Sequence, residues 1–194
     1  MSTYKAINLV KRPAGSIGPE LFEVVEKTVP EPSDGEILVR QTYMSLDPAM
    51  MGWMSEDTDS YIPRVELGDV MRSSGIGEVV ASRHPDFAEG DQVIGMFGWQ
   101  EYTISDGMGV RQIDPDLAPV STALHVLGMP GLTAYFGLFD VCSLRDGETV
   151  VVSGAAGAVG STVGQLARIK GCRVIGIAGS DEKCRWITQD LGFD

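Results

Sequence analysis

The sequence predicts an α/β chain in two parts: a small β-barrel first, then the opening of a doubly wound domain with a parallel sheet. Three observations carry this. The β-branched run at residues 150–152 leads straight into Gly154, Gly157 and Gly160, and then into Val159, Val163, Leu166 and Ala167 at helical spacing, with Gly171 where the helix would stop. A second strand-like run at residues 172–178 makes this a nearly complete βαβ unit. Before it, short runs of strand-forming residues alternate with turn signals, the spacing of a small barrel.

Taken in order, residues 4–10 and 21–27 are short strands separated by a loop at 13–19, and residues 30–35 form a turn. Residues 36–43 alternate as a strand. The segment 44–54 that follows is rich in Met and aromatic residues yet sits between turn signals. It reads either as a loop covering the core or as an adaptable apolar wall of a ligand pocket. Gly75 and Gly77 open a strand at 75–81 and suit a bulge or barrel corner. Residues 89–91 turn into a strand at 92–97, and 99–104 form another. From residue 121 the character changes: Pro130-Gly131 precedes an apolar helix at 132–139, and residues 145–148 turn into the strand at 150. The domains are therefore 1–120 and 121–194, the second incomplete.

Strand, glycine turn and helix together let a backbone approach a pyrophosphate closely, with the helix N-terminus offering N–H groups and a positive dipole end. The spacing is G-x-x-G-x-x-G and not G-x-G-x-x-G, and a purely structural turn could use the same glycines. After the second strand, where NAD sites place Asp or Glu, stand Gly179 and Ser180, then Asp181, Glu182 and Lys183. Ser180 is a natural N-cap for the last helix, expected to run to Leu191 with Gly192 past its end. Lys183 opposes the helix dipole, which a facing 2′-phosphate would offset, so NADP is favoured over NAD; the bland alternative is a solvated lysine.

The remaining composition narrows the class by exclusion. A net charge of −12 argues against nucleic acid and anionic membranes as partners. No apolar run approaches a membrane span, and the N-terminus has no signal-peptide core. Cys142, Cys172 and Cys184 form no C-x-x-C pair, which argues against a disulfide framework or zinc cluster; Cys172 and Cys184 read as core, and the expected setting is a reduced cytoplasm. His84 reads as a surface residue, His125 as a structural one more than a catalytic one. No acid–base pair stands out, as befits chemistry carried by a cofactor.

Four strings resemble the zinc-independent double-bond reductases of the medium-chain dehydrogenase/reductase superfamily, which include prostaglandin/leukotriene, plant alkenal and bacterial curcumin reductases. They begin at Tyr43 (YMSLDP), Gly128 (GMPGLTAY), Ala155 (AAGAVGSTVGQ) and Ala178 (AGSDEKC). The resemblance implies a GroES-like barrel followed by a Rossmann domain, and NADPH-dependent reduction of the C=C bond of α,β-unsaturated aldehydes and ketones. Quinone reduction is the enzymatic alternative, and a non-catalytic nucleotide-binding or association form the other. It maps the phosphate loop onto Gly157, Ala158, Val159 and Gly160, the 2′-phosphate lysine onto Lys183 beside Gly179 and Ser180, and the nicotinamide side onto Met129 and Thr133. Tyr43, Met50, Met51 and Tyr61 fall to the substrate pocket. Members commonly read Asp-Pro-Tyr-Met-Arg-Gly where this chain has Asp47-Pro-Ala49-Met50-Met51-Gly52, so a pocket tyrosine and an arginine are replaced. Family members run on for more than a hundred residues, and the tyrosine proposed to contact the substrate carbonyl falls there, so no catalytic residue is named. The expectation is a fragment of a longer, homodimeric protein, or an assembly in which another chain covers the sheet edge.

Overall fold

The computed structural model describes residues 2–56 and 62–194. Tyr61, a candidate pocket residue, lies outside the described residues. The chain divides into two compact units, one ending at Ser121 and the other spanning Thr122–Asp194.

In the first unit, β1 (Thr3–Leu9) pairs antiparallel with β2 (Phe22–Thr28). The strands β3 (Ile37–Met44), β4 (Gly75–Ser82), β5 (Gln92–Gly95), β6 (Tyr102–Ser105) and β7 (Arg111–Ile113) form an antiparallel sheet in the order β6-β3-β4-β5-β7. β1 is tied to it by the Ile7 N–H donating to Trp99 O (2.8 Å) and the Met71 N–H to Ile7 O (2.9 Å). Residues 99–101, expected as the start of a strand, are spent on this tie: the Glu101 N–H goes to Lys5 O and the Gln41 N–H to Glu101 O. The regular strand begins only at Tyr102. β7 was not expected, because its short run shows no apolar alternation; pairing with β5 makes it a strand. The register between β3 and β4 shifts beside Gln41, opposite Gly77, at the expected bulge.

The apolar faces close over two clusters. Ile37, Val39, Val79, Val93 and Phe97 form one. Leu9, Leu21, Met50, Met54, Val65 and Met71 form the other. The segment 44–54 is therefore more than a loop. After Pro48 it turns into a short helix, α1 (Met50–Met54), opened by the Met50 N–H donating to Asp47 O (3.0 Å). His84 corrects its surface reading: its side chain is only 16% exposed, and its ring meets Phe87 edge-on at 5.0 Å.

After a 3-10 turn at Val120–Leu124, the first α-helix of the second unit is α2 (Met129–Phe136), which carries Pro130 in its first turn and widens into a π-type turn at Gly137–Val141. It starts three residues before the expected position because proline is tolerated where the N–H has no helical partner. Then follow β8 (Thr149–Ser153), α3 (Ala158–Ile169), β9 (Arg173–Ile177) and α4 (Asp181–Gln189). β8 and β9 are parallel, with Val150 opposite Val174 and Val152 opposite Gly176. A parallel pair needs a crossover, and α3 supplies it. Leu138, Val152, Ala155, Ala167, Cys172, Val174, Ile187 and Phe193 form the core between sheet and helices. Phe193 lies directly over Gly164 of α3 and Gly176 of β9, where any side chain would meet its ring. Cys172 is buried, Cys184 half-buried and Cys142 exposed; none is in a disulfide.

Candidate functional site

The turn from β8 into α3 is built on backbone. Gly154 takes a left-handed conformation (φ +61°), and its carbonyl accepts the Gly157 N–H at 2.8 Å. That carbonyl also sits where a side chain on Gly160 would go, so α3 can approach the turn only with glycine there. Gly157 is the N-cap and offers no side-chain cap. The first helical bond is from the Ser161 N–H to Gly157 O (2.9 Å). The N–H groups of Ala158, Val159 and Gly160 thus precede any i→i−4 partner, at the positive end of the helix dipole. Gly157, Ala158 and Val159 are exposed, whereas Gly160 is buried against the turn. Free N–H groups at an exposed helix N-terminus of this kind suit an anion.

Beyond β9 the chain passes Gly179 to Ser180, whose hydroxyl accepts the Lys183 N–H (3.3 Å) and caps α4. The Lys183 side chain is exposed, and among the described residues it has no ion-pair partner. Asp181 and Glu182 occupy the same first turn and suit the dipole. On α2, Met129 is 75% exposed and Thr133 is exposed, its hydroxyl turned back to donate to Met129 O (2.7 Å). His125, read as a structural histidine, is exposed, because its segment is a turn on the surface of this unit.

In the first unit, Tyr43 and Met51 stand in solvent, 48% and 53% exposed. Met50 does not join them. It is 5% exposed and packs with Leu9, Leu21 and Met54, because a one-residue step along α1 turns a side chain about 100° around the axis. Met50 is core, and Met51 carries what wall the segment offers. Tyr43 and Met44 line a cleft of about 370 Å³ with Ile7, Val24, Gln41 and Trp99. Gln41 Oε1 and Trp99 Nε1 are buried, without a hydrogen-bond partner among the described residues. Among the described residues no cluster of His, Cys, Asp or Glu could hold a metal ion. The resolved shifts in titration lie elsewhere: burial raises the Tyr4 hydroxyl, and the Lys170 ammonium holds the Asp146 carboxyl below its usual range.

A β-sheet domain followed by a glycine-turn βαβ unit defines a two-part oxidoreductase architecture. The profile of the N-terminal domain of oxidoreductase matches residues 5–113, more than half of the chain. The chain belongs to this family, a branch of the medium-chain dehydrogenases/reductases. It is 49% identical over 186 residues to the NADPH-dependent curcumin reductase of Escherichia coli K12, covering 96% of this chain and 54% of that protein. It is 44% identical over 176 residues to rat prostaglandin reductase 1, covering 89% and 51%. The crystal structure of CurA from Vibrio vulnificus in complex with NADPH superposes with a TM-score of 0.91 at 46% identity, covering 98% of this chain and 56% of that one. The chain thus spans about half the length of the relatives it matches.

Proposed function

We propose that this chain carries the dinucleotide cradle and part of the substrate wall of a zinc-independent, NADPH-dependent reductase of the C=C bond of α,β-unsaturated ketones and aldehydes. The observation that carries the reading is the pairing of two features in one unit: the N-terminus of α3 at Gly157–Gly160, without a side-chain cap, and an exposed lysine at position 183 past the end of β9 that has no ion-pair partner among the described residues. The cradle suits a pyrophosphate and the lysine a 2′-phosphate; no side chain fills the turn, so the residues present fit the group. When bound, NADPH would supply a hydride for the β-carbon of the enone, with the proton for the α-carbon coming from solvent or a relay. The chain's own part is to hold the dinucleotide through Ala158–Gly160, discriminate its phosphate through Ser180 and Lys183, and present Met129 and Thr133 toward the nicotinamide. Tyr43 and Met51 face the substrate. The names of the relatives, curcumin reductase and prostaglandin reductase 1, support an enone as the substrate class.

The test is a fluorescence titration of the 194-residue chain with NADPH and NADH, with Lys183→Ala alongside. A charge-assisted contact is worth about 1.5–3 kcal/mol, so Lys183→Ala should weaken NADPH by roughly 10- to 150-fold and leave NADH nearly unchanged. Equal losses for both dinucleotides would refute the 2′-phosphate role, and a folded chain that binds neither would refute the cradle.

A further inference from the structure

We propose that this chain associates with a second copy of itself through β2 (Phe22–Thr28), the two strands lying antiparallel about a two-fold axis at Val25. The inference is independent of the reductase reading and uses none of its residues.

β2 has a strand on one side only. All of its residues pair with β1, from Phe22 opposite Leu9 to Thr28 opposite Thr3, and the two strands form a sheet of their own. The far edge of β1 is occupied: the Ile7 N–H goes to Trp99 O, and Lys5 O accepts the Glu101 N–H. The far edge of β2 is not. Among the described residues, no hydrogen bond reaches residues 22–28 from outside this ribbon. Alternate residues of an antiparallel strand turn their N–H and C=O away from the partner strand, so β2 offers a row of donors and acceptors to whatever lies beside it. Nothing blunts that row. The register runs unbroken, with no bulge and no proline, and Val24 is 62% exposed.

The charges on β2 say what lies beside it. Glu23, Val25 and Lys27 alternate along the strand and share one face, opposite Asn8, Ala6 and Tyr4 of β1. A two-fold axis at Val25 puts Glu23 of each copy across from Lys27 of the other, and Val25 across from Val25. Two opposite-charge pairs then flank one apolar pair. Among the described residues, neither Glu23 nor Lys27 has an ion-pair partner in its own chain. Moving the axis one residue destroys the match: about Val24, Glu23 faces Val25, and about Glu26, two glutamates meet. Charges that merely guard an edge repel at every register, whereas these attract at one, as an isologous contact requires. On the opposite face Glu26 lies across from Lys5 of its own β1, so its charge is balanced within the ribbon. The product is a four-stranded antiparallel sheet made from two two-stranded ribbons.

The experiment is sedimentation equilibrium of the 194-residue chain across the micromolar range, with circular dichroism of each variant to report folding. The wild type should be in monomer–dimer equilibrium. Glu23→Lys and Lys27→Glu each set like charges at both pairs, and each should weaken the dimer at least tenfold. The double variant Glu23→Lys/Lys27→Glu restores opposite charges and should return the dissociation constant to within threefold of wild type. An equimolar mixture of the two single variants should form a heterodimer as tight as the wild-type dimer, because every pair again joins opposite charges. Glu23 is exposed, so Glu23→Lys and the mixture carry the test even where the second substitution lowers stability. A wild-type chain that stays monomeric throughout would overturn the proposal and leave β2 a guarded edge. A dimer indifferent to Glu23→Lys would overturn it by placing the contact elsewhere, and folded single variants that weaken the dimer without rescue on mixing would overturn the register.

Discussion

Adding one methyl group at Gly160 tests the geometry of the cradle directly. An ideal Cβ there overlaps the carbonyl oxygen of Gly154 and comes within 2.9 Å of Ala155 Cα. Both are backbone atoms, so no rotamer change relieves the contact. To regain a carbon separation of about 3.5–4.0 Å, the first turn of α3 must withdraw from the turn by roughly 1 Å. Overpacking of this kind costs about 1–3 kcal/mol, partly offset by the helix propensity that Ala gains over Gly, about 1 kcal/mol. With both neighbours rigid, the net loss falls at about 1–2 kcal/mol, or roughly 5–15 °C in melting temperature for a unit of this size. Gly157→Ala is the matched control. Its φ is −83°, and the added methyl lies 3.2 Å from the same oxygen, so a shift of a few tenths of an ångström suffices. Its melting temperature should fall by less than about 4 °C. The assay is thermal melting by circular dichroism with an NADPH titration of each variant. Gly160→Ala should weaken NADPH at least tenfold, since it moves the N–H groups that form the cradle. The reasoning fails if Gly160→Ala melts within about 2 °C of wild type and binds NADPH equally well, or if Gly157→Ala is the more damaging.

Two further perturbations probe the second unit. A methyl at Gly164 would penetrate the Phe193 ring, so Gly164→Ala should destabilise by about 1–3 kcal/mol and Phe193→Ala by about 3–5 kcal/mol. In denaturant melts the double variant should lose clearly less than the sum, because the truncated ring makes room for the methyl; additivity would show that the two do not share the space. Asp146 and Lys170 form an exposed pair at 2.9 Å, in which Lys170 lowers the carboxyl and Asp146 raises the ammonium. A lowered carboxyl contributes stability above its ordinary pKa and loses it as pH falls through the lowered value, while the raised ammonium keeps its share until pH climbs through its own. The melting difference between wild type and Asp146→Asn should therefore be small, constant from neutral pH down to about 3.9, gone below the lowered value and diminished by salt. A difference that grows on acidification would contradict the pairing.

Much of the chain was legible because its signals are local. The run 150–160 specifies strand, turn and helix by β-branching and glycine alone, and Ser180 three residues before Lys183 specifies a cap; the β8–α3–β9–α4 order follows from such neighbours. The barrel strands were legible by alternation, and the glycines of β4 by their fit to a bulge. Other features depend on partners distant in sequence. Residues 99–101 carry strand-forming side chains, yet β1 and β3 claim their hydrogen bonds; β7 has no pattern of its own and exists by pairing with β5. His84 is drawn inward by Phe87, three residues on and around a turn. Met50 and Met51 are chemically identical, and only the packing of α1 on Leu9 and Leu21 decides which is core and which faces solvent. The Ser74–Met96 contact likewise exists because β3, β4 and β5 end together. Local chemistry determined the elements and the glycine turn proposed as an anion cradle; which side chains meet across them was left to tertiary structure, because strand register and burial are satisfied only by the whole sheet at once.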